Sequence, residues 1–119
     1  MESKIVYDTS ALLNRFEFSD VENAFITNSV LEEIKDMEHR LIVDNKVEQG
    51  ILQIQDPSVD SLDRVLKFAL KTNLSDTDID VLALALDLRA ILITDDYTIQ
   101  RTARKLKLRF KPIFRKGIK

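Results

Sequence analysis

Five short runs rich in aliphatic and aromatic residues, KIVYD (4–8), NAFIT (23–27), ILQIQ (51–55), AILIT (90–94) and RFKPIF (109–114), alternate along the chain with longer segments of helical character. Runs of four to six such residues bounded by polar segments read as buried strands. A helix between successive strands brings the chain back to the start of the sheet. The alternation therefore predicts an α/β fold, a three-layer α/β/α sandwich with a central, mainly parallel sheet. Pro112 removes a ladder donor, so the last run belongs at an edge. Helices are expected over SALLNRF (10–16), SVLEEIKDMEHRLIV (29–43), SVDSLDRVLKFAL (58–70), TDIDVLALALDLR (77–89) and YTIQRTARKLKL (97–108). The second of these is read as the start of one long helix with Val30, Ile34, Met37 and Leu41 on one stripe. Asp56-Pro57 marks a turn, and Thr72-Asn73 breaks the helical region in two. With 119 residues, two glycines and two prolines, one domain over 1–119 with short connections is expected.

Parallel sheets of this kind bind ligands at the carboxyl ends of their strands. Asp8 ends the first run, and Asp95 with Asp96 follow the fourth. Glu33 lies early in its helix and Asp78 at the start of another, where both can face the same rim. Each carboxylate also has a purely structural use. Asp8 can cap the helix that starts near Ser10. Glu33, beside Glu32, suits the positive end of a helix. Ser75-Asp76-Thr77-Asp78 has capping-box spacing, and Asp95-Asp96 can make a turn and a cap.

One cap needs only one carboxylate. Acids brought within about 4 Å of one another repel by a few kcal/mol per pair at an effective dielectric near 20. Such a cluster calls for protons or a cation. The chain has no cysteine and a single histidine, His39, which excludes disulfides, thiolate zinc sites and multi-histidine centres. A metal would be held by oxygen, which suits Mg2+ or Mn2+ and phosphodiester hydrolysis by in-line attack of water, with one or two ions stabilising the phosphoryl charge.

The net charge of −2 hides a segregation. Residues 101–119 carry nine Lys or Arg and no acid, while the first hundred residues hold a net −11. A solvated helix face followed by a basic edge strand accounts for part of this, with a polyanion-binding surface as the alternative. His39 is expected on a helix surface. Phe110 and Phe114, alternating with Lys111 and Arg115, read as a half-buried strand, with base stacking as the alternative. Val81, Leu82, Ala85 and Leu88 read as core. No stretch approaches the length of a membrane span and the N-terminus lacks an apolar leader, so no membrane association and a cytoplasmic location are expected.

The set VYDTSALL, TNSVLEEIKD, LSDTDIDVLALAL and ITDDYTIQRTA resembles the PIN domain nucleases. Within that family it looks most like the PIN domain of the archaeal and eukaryotic endonuclease that matures the 3′ end of small-subunit ribosomal RNA. The resemblance implies a metal-dependent endoribonuclease acting on single-stranded RNA, a precursor ribosomal RNA included, and leaving a 5′-phosphate and a 3′-hydroxyl. Carried over motif by motif, it makes Asp8, Glu33, Asp78 and Asp96 the catalytic, metal-holding acids, with Asp95 as an additional ligand. Ser10 and Thr94 match small hydroxyl positions of the motifs and would be supporting hydroxyls. Independently of the resemblance, Arg101, Arg104 and Lys105, on the helix that follows the TDD step, are expected as the phosphate contacts. A pre-ribosome is the protein partner this implies, and a homodimer is compatible with it. The resembled enzymes continue past a segment like FKPIFRKGI into a cysteine zinc ribbon, for which this chain has no cysteine. The PIN toxins of toxin–antitoxin pairs, with an antitoxin as partner, are thus an alternative, and an inactive PIN scaffold is another. A phosphorelay receiver fits worse, because its acidic pair would follow the first strand.

Overall fold

The aliphatic runs condense to strands of two or three residues. In the computed structural model, which describes residues 3–14 and 23–113, these are β1 (Ile5–Tyr7), β2 (Ala24–Ile26), β3 (Leu52–Ile54), β4 (Ile91–Ile93) and β5 (Phe110–Lys111). They form one sheet in the order β3-β2-β1-β4-β5, with every pair parallel. β5 is an edge strand, as Pro112 requires. Phe114 and Arg115, at the end of that alternation, lie outside the described residues.

The order carries the main consequence. From β1 the chain moves outward to β2 and β3, then returns past β1 to β4 and on to β5. Right-handed crossovers in opposite directions place helices on opposite faces, so the connections leaving β1 and β4 part company. A crevice opens at the carboxyl ends of these two neighbours. Their register pairs Tyr7 with Ile93 and so brings Asp8 and Thr94 side by side just beyond the sheet.

The helices are α1 (Thr9–Leu13), α2 (Asn28–Glu33), α3 (Met37–Glu48), α4 (Val59–Ala69), α5 (Asp76–Leu88) and α6 (Tyr97–Lys105). α5 lies against β1 and β4 and is flanked by α2, α4 and α6. That is why Val81 through Ala85 are all buried, without the alternation of a surface helix. Leu88, at its end, is only half-buried. Asp87 fastens the start of α4 to α5: its carboxylate accepts from the Ser58 N–H at 2.6 Å, the Ser58 hydroxyl at 2.8 Å and the Ser61 hydroxyl at 2.5 Å. Among the described residues no helix is long and apolar enough to cross a membrane.

The expected long helix beginning at Ser29 is in fact two. Ile34 leaves the helical conformation at φ −87° and ψ 98°, and Asp36 starts α3 by accepting the His39 N–H at 3.0 Å. An aspartate with a donor three residues on makes a new N-cap inside an otherwise helical pattern. The new helix has a new direction, which breaks the stripe. Val30 and Ile34 stay in the core, whereas Met37 and Leu41 are 76% and 58% exposed. His39 sits in the first turn of α3, with Nδ1 at 2.8 Å from the Asp36 carboxylate.

The split predicts unequal costs along the former stripe. Ile34→Ala should destabilise the protein by about 2–5 kcal/mol, and Leu41→Ala by less than about 0.5 kcal/mol. Urea unfolding measures both; similar losses at the two positions would restore the single helix.

Candidate active site

Asp8 is the first residue past β1 and the N-cap of α1. Its Oδ1 accepts the Ala11 N–H at 2.7 Å, and its Oδ2 takes a short hydrogen bond from the Thr94 hydroxyl. The sheet ladder extends to it, for its own N–H donates to the Ile93 carbonyl at 3.3 Å. Thr94 is fully buried and has two duties: its oxygen also accepts the Asp96 N–H at 3.1 Å. One hydroxyl thus sets the position of two acids across the crevice.

Asp96 caps α6, with Oδ1 accepting the Ile99 N–H at 3.0 Å. Asp78 closes a capping box at the start of α5: the Ser75 N–H donates to its carboxylate at 3.1 Å, and its own N–H donates to the Ser75 hydroxyl at 3.1 Å. Glu33 is the last residue of α2, not one of its first, and accepts from the Thr9 hydroxyl at 2.6 Å. The macrodipole therefore does not explain a carboxylate there, because a helix C-terminus disfavours negative charge.

These acids act on one another. Burial is the largest influence on Asp8 and raises its pKa; the Thr94 and Ala11 hydrogen bonds oppose this, and the charges of Asp78 and Asp96 add to it. Asp78 is raised in the same way, first by burial, against the Ser75 hydrogen bonds, and then by Asp96 and Glu33. Four carboxylates from β1, α2, α5 and the β4–α6 turn thus share one field. As they stand, no three acidic side chains among the described residues form a closed metal cage. Each is engaged by its own cap or hydroxyl. Oδ2 of Asp96 and Oε2 of Glu33 accept no hydrogen bond from the described residues.

The remaining sequence candidates fall in different places. Asp95 accepts the Ile113 N–H at 2.8 Å and ties the β4 turn to the chain beyond β5. Of the two adjacent hydroxyls on α1, it is Thr9 and not Ser10 that reaches a site carboxylate. Ser10 is exposed. Arg101 and Lys105 line one hollow with residues 71–73, while Arg104 lies over the Phe110 ring at 5.6 Å in another. A hydroxyl chain missed in the sequence also braces the site. Thr27 caps α2, its oxygen lies 2.9 Å from the Ser29 hydroxyl, and Ser29 donates to Asp80 at 2.7 Å. This joins the helix of Glu33 to that of Asp78. Asp80, two residues after Asp78 in TDID, was its visible sign.

A family profile described as the PIN domain of ribonuclease matches residues 5–88. The endoribonuclease Nob1 of Pyrococcus abyssi is 36% identical over 100% of this chain and 73% of its own length. The ribonuclease VapC1 of Thermoplasma acidophilum is 39% identical over 88% of this chain and 55% of its own. Among solved structures, VapBC2 from Rickettsia felis bound to a promoter DNA fragment superposes with a TM-score of 0.67, covering 91% of this chain and 97% of that one at 13% identity. That likeness concerns the fold.

Raised carboxylate pKa values fix a sign. Asp8 and Asp78 bind protons more tightly folded than unfolded, so they favour folding at low pH and this advantage is lost as pH rises through the ordinary carboxylate range to their raised values. At Asp87 burial is the largest single influence and raises the pKa, but the Ser61 and Ser58 donors together outweigh it and lower the pKa, so this group acts in the other direction and loses its contribution as pH falls. Asp8→Asn keeps a side-chain oxygen for the Ala11 cap and removes the disfavoured charge. In EDTA at neutral pH it should melt no lower than wild type, and wild type should gain on it as pH drops toward about 4. A variant that melts well below wild type at neutral pH would reduce Asp8 to a stabilising cap.

Proposed function

The chain belongs to the PIN domain family of ribonucleases, and from that premise we propose that it is an endoribonuclease hydrolysing single-stranded RNA at the rim above β1 and β4, with Mg2+ or Mn2+ as cofactor. The observation that carries this reading is the convergence of Asp8, Glu33, Asp78 and Asp96 on one field at the point where the strand order reverses. Helix capping alone needs no such meeting. The donor set fits a hard divalent ion: it is all oxygen, it is partly desolvated, and two members are pushed toward protonation by burial and by the others.

Asp8, Glu33, Asp78 and Asp96 would hold one or two ions. When bound, these ions supply the positive charge the acids lack, acidify a water and stabilise charge on the phosphoryl oxygens. The chain's own residues supply positioning. Thr94 orients Asp8 and Asp96 together, Thr9 orients Glu33, and the Ser75 box holds Asp78 at the head of α5. Asp95 supports the turn from outside through Ile113. In-line attack by water on the phosphodiester leaves a 5′-phosphate and a 3′-hydroxyl.

Precursor ribosomal RNA is the substrate we favour. The resemblance to the rRNA-maturing endonuclease spans all four acidic motifs, and the similarity to the Pyrococcus abyssi protein covers the whole chain. Toxin activity is the second reading, motivated by the Thermoplasma acidophilum ribonuclease. The two separate in cells: a processing enzyme leaves an unprocessed rRNA precursor when depleted, whereas a toxin arrests growth when produced without its antitoxin.

Cleavage of a labelled single-stranded RNA should require Mg2+ or Mn2+ and stop with EDTA. Asp8→Asn and Asp78→Asn should each lower the rate by about a hundredfold or more. Undiminished cleavage by Asp8→Asn, or products with a 5′-hydroxyl, would defeat the proposal.

A further inference from the structure

Beside the acidic rim runs a second groove, of about 270 Å³, to whose polar walls the described residues contribute only cations, hydroxyls and amides. One wall is the turn between α4 and α5, with Lys71, Thr72 and Asn73; the other is α6, with Thr98, Arg101 and Lys105. Among the described residues no carboxylate lines it and none of its three cations makes an ion pair. We infer that this groove is a subsite for the phosphodiester backbone of the RNA strand next to the scissile phosphate. The inference rests on the ribonuclease reading and adds where the uncut part of the strand lies.

Position is the first argument. The turn ends just before Ser75, which caps the helix of Asp78, and α6 starts from the Asp96 cap. Along α6, Arg101 and Lys105 lie about 7.5 and 13.5 Å from that cap. A strand reacting at the acids would lay its neighbouring phosphates in the groove. Pre-organisation is the second. The Thr72 N–H and hydroxyl both donate to the Ala69 carbonyl, at 3.0 and 2.9 Å, which fixes the turn. Arg101 donates to the Thr98 hydroxyl at 3.3 Å, so its guanidinium is held back toward the Asp96 end of the helix.

Helix dipoles explain only part of the charge. Lys105 suits the end of α6 and Lys71 that of α4, but Arg101 lies mid-helix with no carbonyl end to complement. A contrasting hollow at the amino ends of the strands, with Arg64, Arg89, Lys107 and Arg109, shows what dipole compensation looks like. There Arg109 donates directly to the Arg89 carbonyl at the end of α5, at 3.1 Å. The groove beside the acids contains no such bond from its cations to a helix end.

The test compares wild type with Lys71→Gln, Arg101→Gln and the double variant, with Arg64→Gln on the opposite rim as control. Cleavage of a single-stranded RNA in Mn2+ should show KM raised about three- to tenfold by each groove variant, with kcat within about twofold. Binding of the same RNA in EDTA, followed against salt, should lose about 0.7 from its log–log slope for each cation removed. Arg64→Gln should change neither. If wild type cleaves and the double variant keeps its KM and slope, or if Arg64→Gln reproduces the effect, the groove is not a subsite. If wild type does not cleave at all, the nuclease reading fails separately. The binding arm then decides the groove: a reduced slope retains it as a polyanion site and an unchanged slope removes it.

Discussion

The contact on which the rest depends is the bridge between β1 and β4 made by Asp8 and Thr94. Parallel pairing places the two residues side by side, and the Thr94 hydroxyl closes the gap with a short hydrogen bond to the Asp8 carboxylate. Both side chains are buried, so neither water nor an alternative partner replaces the bond easily. Because Thr94 also receives the Asp96 N–H, the same hydroxyl sets where α6 begins. Helix α1 and helix α6 leave in different directions from a point fixed by three neighbouring polar groups.

Capping does not compete with the catalytic role proposed for these acids. Asp8, Asp78 and Asp96 each engage the first turn of a helix, and each is brought by the sheet to the same crevice. The caps tolerate the crowding because each carboxylate receives N–H donors that stabilise its charge. They do not cancel it, as the raised pKa values of Asp8 and Asp78 show, with burial as the first cause and the neighbouring acids adding to it. Glu33 differs. It stands at the wrong end of its helix for the dipole and is held by Thr9 instead, which makes it the acid with the least structural excuse. Stability given up at this rim is the usual accompaniment of a functional site.

Charge separation gives the rim its polarity. The acids meet where strands end, and the cations of α6 begin one turn further on, across from residues 71–73. Under the proposed function, a polyanion approaching this surface meets attraction beside a negative centre that a divalent ion would neutralise.

Much of this was legible in the sequence. The alternation of KIVYD, NAFIT, ILQIQ, AILIT and RFKPIF with helical segments determined a parallel α/β sheet, and Pro112 determined an edge, because both depend on local hydrogen-bonding and burial rules. The places of Asp8 and Asp78 at a strand end and a cap were readable from spacing, as was the Asp95-Asp96 pair after β4, within which the family resemblance pointed to Asp96. The break at Asp36 was not, since a capping aspartate looks like one more polar residue in a helical stripe until its carboxylate is seen to accept the His39 N–H. Nor was the preference for Thr9 over Ser10, or the Thr27–Ser29–Asp80 brace, because adjacent hydroxyls differ only in the direction they leave the backbone. The chain by itself determined the alternation of strands and helices and the acids that follow the strands. Only the tertiary structure decided that β4 lies beside β1, and with it which charges face one another, because that choice rests on contacts between residues some 86 positions apart.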